Sequence, residues 1–495
     1  MSIRRSSQNL DLEELRPPSL TPRSLMGYFG PGIILMMTGI GTSHLVTAPT
    51  AGGRFQFALL WCIPVAYIFK YYGFEMAFRF TNATGKSLLE AYGTAWRKWP
   101  LWYVLMTTLV QCAIGQAGRL IAASAVLYSV FTVSLGLPLP LGAYAVVLGA
   151  ASVAVLLSGS YRSVENVAKA AAIALCLSTI AVYLVRPAPL DALQHFWIVE
   201  TPVGSWLLIA AFLGLLPTGL DVSLQASEWG KAKRAGMSHI RPELERRGLA
   251  KPFDPFSSAK EDLAVDPDRL PDTAQEYCRQ WFRISLWDFR LGHVVSFAMA
   301  CIFLLLAAVW LYPSPVEGRA VMGEIAGIFT NSVGPWMMAV FLTGAFAATF
   351  STAFNYFDGW PRVVGACCRN MFHSTARLQG IGRDDLTEEH RREWSSEYNI
   401  YRATMFFSLI SAVAIVIGLP RPVFLVLVAS ALAFFVAPAI FFLNLYYCLT
   451  VIPKHASHYY PTPLAIFFGA ASLVVFSGLS GILIAARVFG IQLFG

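Results

Sequence analysis

The chain alternates between long apolar runs and polar connections from one end to the other. A helix that crosses the hydrocarbon core of a bilayer needs about 20 predominantly apolar residues. Eleven runs meet that length, at 27–51, 57–79, 101–130, 139–158, 164–185, 204–227, 289–312, 335–358, 401–419, 422–449 and 463–488. They are numbered here as spans 1 to 11. Two of them change character part-way. Span 1 starts as an apolar helix and then places Gly39, Gly41, Thr42, Ser43 and His44 where the middle of the bilayer falls. Span 6 is interrupted over residues 215–224, by Pro217, Thr218, Gly219 and Asp221. An unsatisfied backbone group in hydrocarbon costs several kcal/mol, so a helix opens there only where protein or a water-filled cavity surrounds it. The two interruptions stand at matching positions of two five-helix halves. That pattern predicts an all-α polytopic membrane protein, a LeuT-like 5+5 inverted repeat plus an eleventh transmembrane helix. The expected division is a tail over 1–25, a first repeat over 26–200, a second over 201–450 and the extra span over 451–495.

Composition agrees with the pattern. The chain is 56% hydrophobic and 13% charged, whereas soluble domains carry about 25% charged residues. The first 25 residues are polar, with Arg4, Arg5, Arg16 and Arg23, and carry no signal-peptide core. The net charge of +8 is not a nucleic-acid signature, because the basic residues sit in alternate loops. The N-terminal tail, the 80–100 connection with Lys86, Arg97 and Lys98, and the 228–288 and 362–400 loops are basic, while the loops between them hold at most one Arg each. The positive-inside rule then puts the N-terminus in the cytoplasm and the C-terminus outside, in a plasma or inner membrane. The 228–288 stretch reads as a partly ordered loop, too short for a core of its own. Cysteines such as Cys112, Cys176 and Cys301 lie inside apolar runs and read as packing residues. Cys367 and Cys368 form a vicinal pair beside a charged loop.

The candidate chemistry gathers at the two interruptions. A carboxylate at the centre of a membrane helix costs about 2.5–3.5 kcal/mol on insertion scales, so Asp221 is expected to face a cavity, hold a substrate or carry protons. Its alternative role is to cap the helix that follows the break. His44 is the expected partner: imidazole changes charge in the physiological range and ligates divalent metals. Its alternative is a structural bond to a freed carbonyl. Thr42, Ser43 and Thr218 supply hydroxyls, and the breaks free carbonyls that suit a cation. Gln116 and Arg119 share a face of span 3. Glu75 and Arg79, four apart, read as a structural pair near the end of span 2. Asp288 and Arg290 open span 7, and Asn355 and Asp358 close span 8. His455 and His458 read as a solvated loop.

These residues resemble the Nramp family of proton-coupled divalent metal transporters. The family's Gly-Pro-Gly, Asp-Pro-Gly-Asn and Ala-Gly-…-Leu-Leu-Trp series corresponds to 30–32, to Gly41–His44 and to 51–61. Ala83–Glu90, Gly159–Val167 and Phe434–Asn444 are similar to the family's segments after span 2, at the entry to span 5 and in span 10. The resemblance implies the LeuT-like fold and a cargo site at Gly41, Thr42, Ser43, His44, Thr218 and Asp221. It also places this chain's departures at the working positions. The family's metal-binding Asp corresponds to Gly41 and its Asn to His44. The Met-Pro-His-Asn of span 6 corresponds to Thr218, Gly219, Leu220 and Asp221, so the metal-selective thioether is absent. The acidic pair of the family's proton route corresponds to Gln116 and Arg119.

The expected function is therefore secondary-active or facilitated transport of a divalent cation such as Mn, Fe, Co, Zn or Mg, with protons as a candidate co-substrate. His44 and Asp221 are the expected metal ligands, and no resident cofactor is expected. The alternatives are another small solute on the same scaffold, organic or anionic, and a non-transporting receptor like the family's plant ethylene-signalling relative. No nucleophile–base set or cofactor motif points to an enzyme.

Overall fold

The structure, a computed structural model, describes residues 10–28, 40–158, 161–314, 318–372 and 395–489. The Gly-Pro-Gly at 30–32, the first half of span 1 and most of the 362–400 loop lie outside them. Among the described residues helix is the only regular secondary structure, and spans 2 to 5 and 7 to 11 each fall on helix, with span 6 on two shorter ones. Seven helices are long and apolar enough to cross a membrane. The protein is a multi-pass integral membrane protein.

The surface supports that reading. Val147, Leu177, Ile410, Phe467 and Val474 are exposed along spans 4, 5, 9 and 11, which fits contact with lipid tails rather than water. Trp96, Trp197 and Trp336 are more than half exposed near helix ends, where the amphipathic indole suits the membrane–water boundary. Inside, helices meet through small residues, as membrane helices do. A Cβ at Gly52 would fall 2.8 Å from the backbone nitrogen of Ala308, so span 1 lies directly against the span 7 backbone.

Three expectations about elements change. Span 1 is not unwound at Gly41–His44. Residues 40–42 are α-helical, Ser43–Thr47 form a π-turn, and Ala48–Phe55 continue as α-helix. The π-turn absorbs the irregularity, so one turn widens without freeing the ladder. Gly41 has a packing role: a Cβ there would lie 2.9 Å from the Ala348 carbonyl and collide with the Thr352 hydroxyl. The matched pair of breaks is thus one break, in span 6, among the described residues.

Spans 7 and 8 are also longer than the apolar pattern. Their helices are Asp272–Trp310 and Met337–Met371. Each runs well past its apolar stretch, so Asp288, Arg290, Asn355 and Asp358 sit inside helices rather than at their ends. Asp358 pairs with Arg362 one turn on, at 2.6 Å, and accepts from the Tyr401 hydroxyl at 2.7 Å.

The 228–288 stretch does hold a core. Met237, Ile240, Leu244, Val265, Leu270, Tyr277 and Cys278 form a cluster with Leu12 of the N-terminal tail, separate from the main core. A chain segment this short cannot bury enough surface alone; it succeeds by recruiting the tail and the extended base of span 7. Arg241, buried, is its tether. The guanidinium donates to the carbonyls of Thr84 at 2.6 Å, Leu263 at 2.7 Å, Asp262 at 3.0 Å and Lys251 at 3.2 Å. Thr84 ends the span 2 helix Cys62–Thr84, so the unit is bolted to the transmembrane bundle. Glu75 and Arg79 form the expected pair, at 2.5 Å.

Candidate functional site

Span 6 is two half-helices, Trp206–Leu215 and Val222–Ala232. Pro217 has no N–H to give the ladder, and residues 216–221 run as bend and turn. Asp221 stands at the N-terminus of the second half, where the helix dipole favours negative charge. It makes no capping bond to the amides that follow, so its alternative role as a cap is not realised. Its carboxylate instead accepts from the Trp360 indole N–H, at 3.2 Å. A Cβ on Gly219 would collide with the Asp221 carboxylate; the bare Cα is what gives it room.

Around Asp221 the side chains of spans 3 and 8 close in. The Thr218 hydroxyl bonds the Tyr356 hydroxyl at 2.7 Å. The Tyr356 and Trp360 rings lie 4.4 Å apart. The Arg119 guanidinium lies over both rings, at 3.7 Å and 4.6 Å, and donates to the Gly115 carbonyl at 2.8 Å. Thr218, Tyr356, Trp360 and Arg119 are buried, yet Asp221 retains accessible surface in their midst. The charges of Arg119 and Lys70 both act on Asp221.

Unpaired polar atoms mark the same region. Both amide atoms of Gln111 and of Gln225, Oε1 of Gln116 and Nε of Arg119 are buried and have no hydrogen-bond partner. Such an atom costs about 1–3 kcal/mol if nothing meets it, and buried polar groups in native proteins are nearly always met by protein, water or ligand. The atoms converge. The space a Cβ on Gly115 would fill is bounded by Gln111, by Trp360 at 2.8 Å and by the Arg119 Nη1 at 3.2 Å. Gln225 lies equally close over Gly359, next to Trp360. Span 3 takes a π-turn at Gln111–Gly115, a form often found at functional sites. Asp221, Gln225 and Glu228 are spaced i, i+4, i+7, so they share one face of the second half-helix.

The expected metal pair is not assembled. His44 is fully buried, with Nδ1 2.9 Å from the Ser43 hydroxyl and Nε2 3.0 Å from the Tyr67 hydroxyl, 2.9 Å from the Ser296 carbonyl and 3.1 Å from its hydroxyl. Apart from the neighbouring Ser43, those partners belong to spans 2 and 7. Both ring nitrogens are engaged there, and neither bonds Asp221. The carbonyl His44 meets is not one freed at a break but that of Ser296, inside the span 7 helix. Thr42 is buried beside it.

The freed carbonyls are not open either. Lys70, fully buried in the middle of span 2, donates to the carbonyls of Gly214 at 2.6 Å, Leu216 at 2.9 Å and Thr218 at 3.1 Å. Sequence reasoning missed Lys70. A single ammonium inside an otherwise apolar and aromatic span was the available signal, by the same insertion cost that singled out Asp221. Arg119 does reach the site, while Gln116 bonds the Ala353 carbonyl of span 8 at 2.9 Å.

Of the other candidates, His455 pairs with Asp266 at 2.9 Å and lies 3.9 Å from Asp268, both groups solvent-facing. These three are the one His/Cys/Asp/Glu group with metal-like spacing among the described residues. Cys367 is buried, Cys368 partly so, and both are free thiols.

A family model described as "Natural resistance-associated macrophage protein-like", or Nramp, matches residues 32–486. The chain belongs to the Nramp family. A curated relative is the "Uncharacterized protein PM0681" of Pasteurella multocida, 22% identical over 352 residues, 69% of this chain and 70% of that one. Among solved structures, a manganese transporter of Eremococcus coleocola superposes with TM-score 0.60 at 13% identity, over 98% of this chain and 92% of that one. The inward-facing form of Mhp1 superposes with TM-score 0.52 at 13% identity, over 99% and 97%. At these identities the superpositions establish the fold. This Nramp chain carries the LeuT-like architecture, as expected.

Proposed function

We propose that this Nramp chain is an alternating-access transporter of a divalent metal ion, and that its cargo site is the polar pocket around Asp221 between spans 3, 6 and 8. The observation that carries the reading is Asp221, a partly exposed residue at the break of span 6 that accepts from the Trp360 indole, with the unpaired amides of Gln111 and Gln225 packed beside Trp360 and Gly359. The donors offered are a carboxylate, the Thr218 hydroxyl and amide carbonyls. An oxygen-only set suits hard ions such as Mg or Mn, which keep part of their water, better than Zn or Cu. His44 contributes by holding spans 1, 2 and 7 together.

By charge pattern the 228–288 unit faces the cytoplasm. The Asp221–Gln225–Glu228 face then leads from the site toward that side. Span 3 offers no acidic relay there, since Gln116 and Arg119 stand where one is expected. Transport is thus facilitated, and cargo uptake does not acidify the vesicle lumen.

The test is uptake of Mn and of Mg into proteoliposomes. Saturable uptake in the wild type, lost in Asp221→Asn and retained in His44→Gln, is expected. Absence of saturable uptake of either ion overturns the metal reading. One observation favours a second reading, a small organic solute: Arg119 lies on the rings of Tyr356 and Trp360 beside the carboxylate, a surface suited to a planar polar molecule. A thermal-shift screen in which an organic solute stabilises the protein, with no response to Mn or Mg, selects it.

A further inference from the structure

A helix that ends inside a membrane leaves its last four carbonyls without partners. In span 6 three carbonyl oxygens around the break, those of Gly214, Leu216 and Thr218, point at one spot. A shell of carbonyl oxygens at a broken membrane helix is the kind of site in which transporters of this architecture coordinate a free cation. Here the spot is filled by the Lys70 ammonium, at 2.6, 2.9 and 3.1 Å. An ammonium has three donors, and three acceptors are present. The site is dry: Lys70 has no exposed surface, and the ring of Phe476 from span 11 stands 5.8 Å away. Asp221 supplies the nearby negative charge.

We propose that Lys70 is a built-in cation: its ammonium occupies a three-carbonyl coordination site at the break of span 6 and replaces a free monovalent ion there. The side chain ties span 2 to span 6 by charge-assisted bonds that need no ion from solution. Two consequences follow. The break keeps its shape at any Na+ concentration, and its carbonyls are closed to the cargo, which must rely on side chains. The first does not depend on what Asp221 holds, so its test does not require transport.

The experiment is thermal unfolding of purified protein in NaCl, KCl, propylammonium chloride or choline chloride at equal ionic strength. Propylammonium is the fragment that Lys70→Ala removes. The wild type is expected to unfold at the same midpoint in all four salts. Lys70→Ala is expected to unfold lower in choline and to recover saturably in propylammonium, with a smaller recovery in Na+. Lys70→Met, which fills the space without charge, is expected to be destabilised and indifferent to all four. If Lys70→Ala is not recovered as monodisperse protein, solubilisation with propylammonium present throughout is expected to restore it and not Lys70→Met. A saturable Na+ stabilisation of the wild type overturns the proposal. So does a Lys70→Ala protein that responds to propylammonium no more than Lys70→Met does, or a Lys70→Met protein as stable as the wild type.

Discussion

Glu90 offers a clean test of how the basic face of the bundle is held together. It lies in the short helix Leu88–Tyr92 after span 2 and closes a capping box, accepting from the Ser87 amide at 2.8 Å. It is buried, yet it bonds Lys231 at the end of span 6, at 2.9 Å. Burial pushes its carboxyl up, but Lys231, Lys86 and Arg369 outweigh burial and bring it down from 4.5 to about 2. A depression of roughly 2.5 units at about 1.36 kcal/mol each amounts to about 3 kcal/mol of stability near neutral pH. The sign follows from the direction. A group lowered in the folded state contributes fully above its unfolded value of 4.5 and loses that contribution as pH falls through about 2. Glu90→Gln keeps a carbonyl oxygen for the cap and removes only the charge. Lys86 and Lys231 retain some solvent, which trims the effect to ~2–3 kcal/mol. The assay is reversible denaturant unfolding in micelles, followed by tryptophan fluorescence, for both proteins near pH 7 and near pH 3. Glu90→Gln is expected to be less stable near neutral pH, with the gap shrinking toward low pH as the wild type loses its advantage. A gap under about 1 kcal/mol near neutrality, or one that persists unchanged in acid, refutes the argument.

Three further outcomes are expected. Arg119→Lys abolishes uptake although it keeps the charge, because an ammonium cannot lie flat on Tyr356 and Trp360; uptake kinetics at unchanged thermal stability check it. Arg241→Met strands four carbonyls, weakens the 237–278 unit by about 3 kcal/mol or more, and opens it to limited proteolysis while the transmembrane helices stay protected. Gly41→Ala forces span 1 off span 8 at Ala348 and Thr352, at about 1–3 kcal/mol, and a lowered unfolding midpoint reports it.

The parts of the fold that were legible in the sequence are those written in apolar length. Predicted spans 2 to 5 and 7 to 11 each fall on helix, and span 6 on two shorter ones, because hydrocarbon leaves the backbone no other way to satisfy itself. The span 6 break was legible because Pro217 and Gly219 stand either side of Thr218, close to a carboxylate. The span 1 break was misread for a related reason. Gly41, Thr42 and Ser43 are poor helix residues in isolation, but here Gly41 is small so that span 8 can approach, and Ser43 bonds the neighbouring imidazole. Tertiary packing overrode local propensity. The polar stretches hid more. The first part of the span 7 helix, Asp272 to Asp288, is too charged to read as a span, and the small core of the 228–288 unit needs Leu12 from the far end of the chain. No window over either segment contains that information.

The site itself was half legible. Asp221, Thr218 and Arg119 come together around Tyr356 and Trp360, and Gln116 bonds span 8 nearby at Ala353. His44 does not join them, and Trp360, Tyr356, Gln111 and Gln225 were unnoticed because an aromatic or an amide in a membrane helix has many uses, whereas Lys70 was overlooked despite its charge. What joins the set is a division of labour among three intramembrane charges, Lys70, Arg119 and Asp221. Lys70 has all three of its donors on backbone carbonyls, so its charge is locked into the fold. Arg119 is different: it has one bond to Gly115, lies against two rings and leaves Nε unpaired. Asp221 therefore has one fixed cation and one less firmly held guanidinium within its field. A divalent ion that reaches the carboxylate meets repulsion from both, and only Arg119 is free enough of bonds to give way. If the proposed cargo site is the right one, binding there is expected to be weak and readily reversed unless Arg119 moves with it. On that proposal, cargo arrival is coupled to a shift of span 3 against span 8, the two helices whose side chains Arg119 connects.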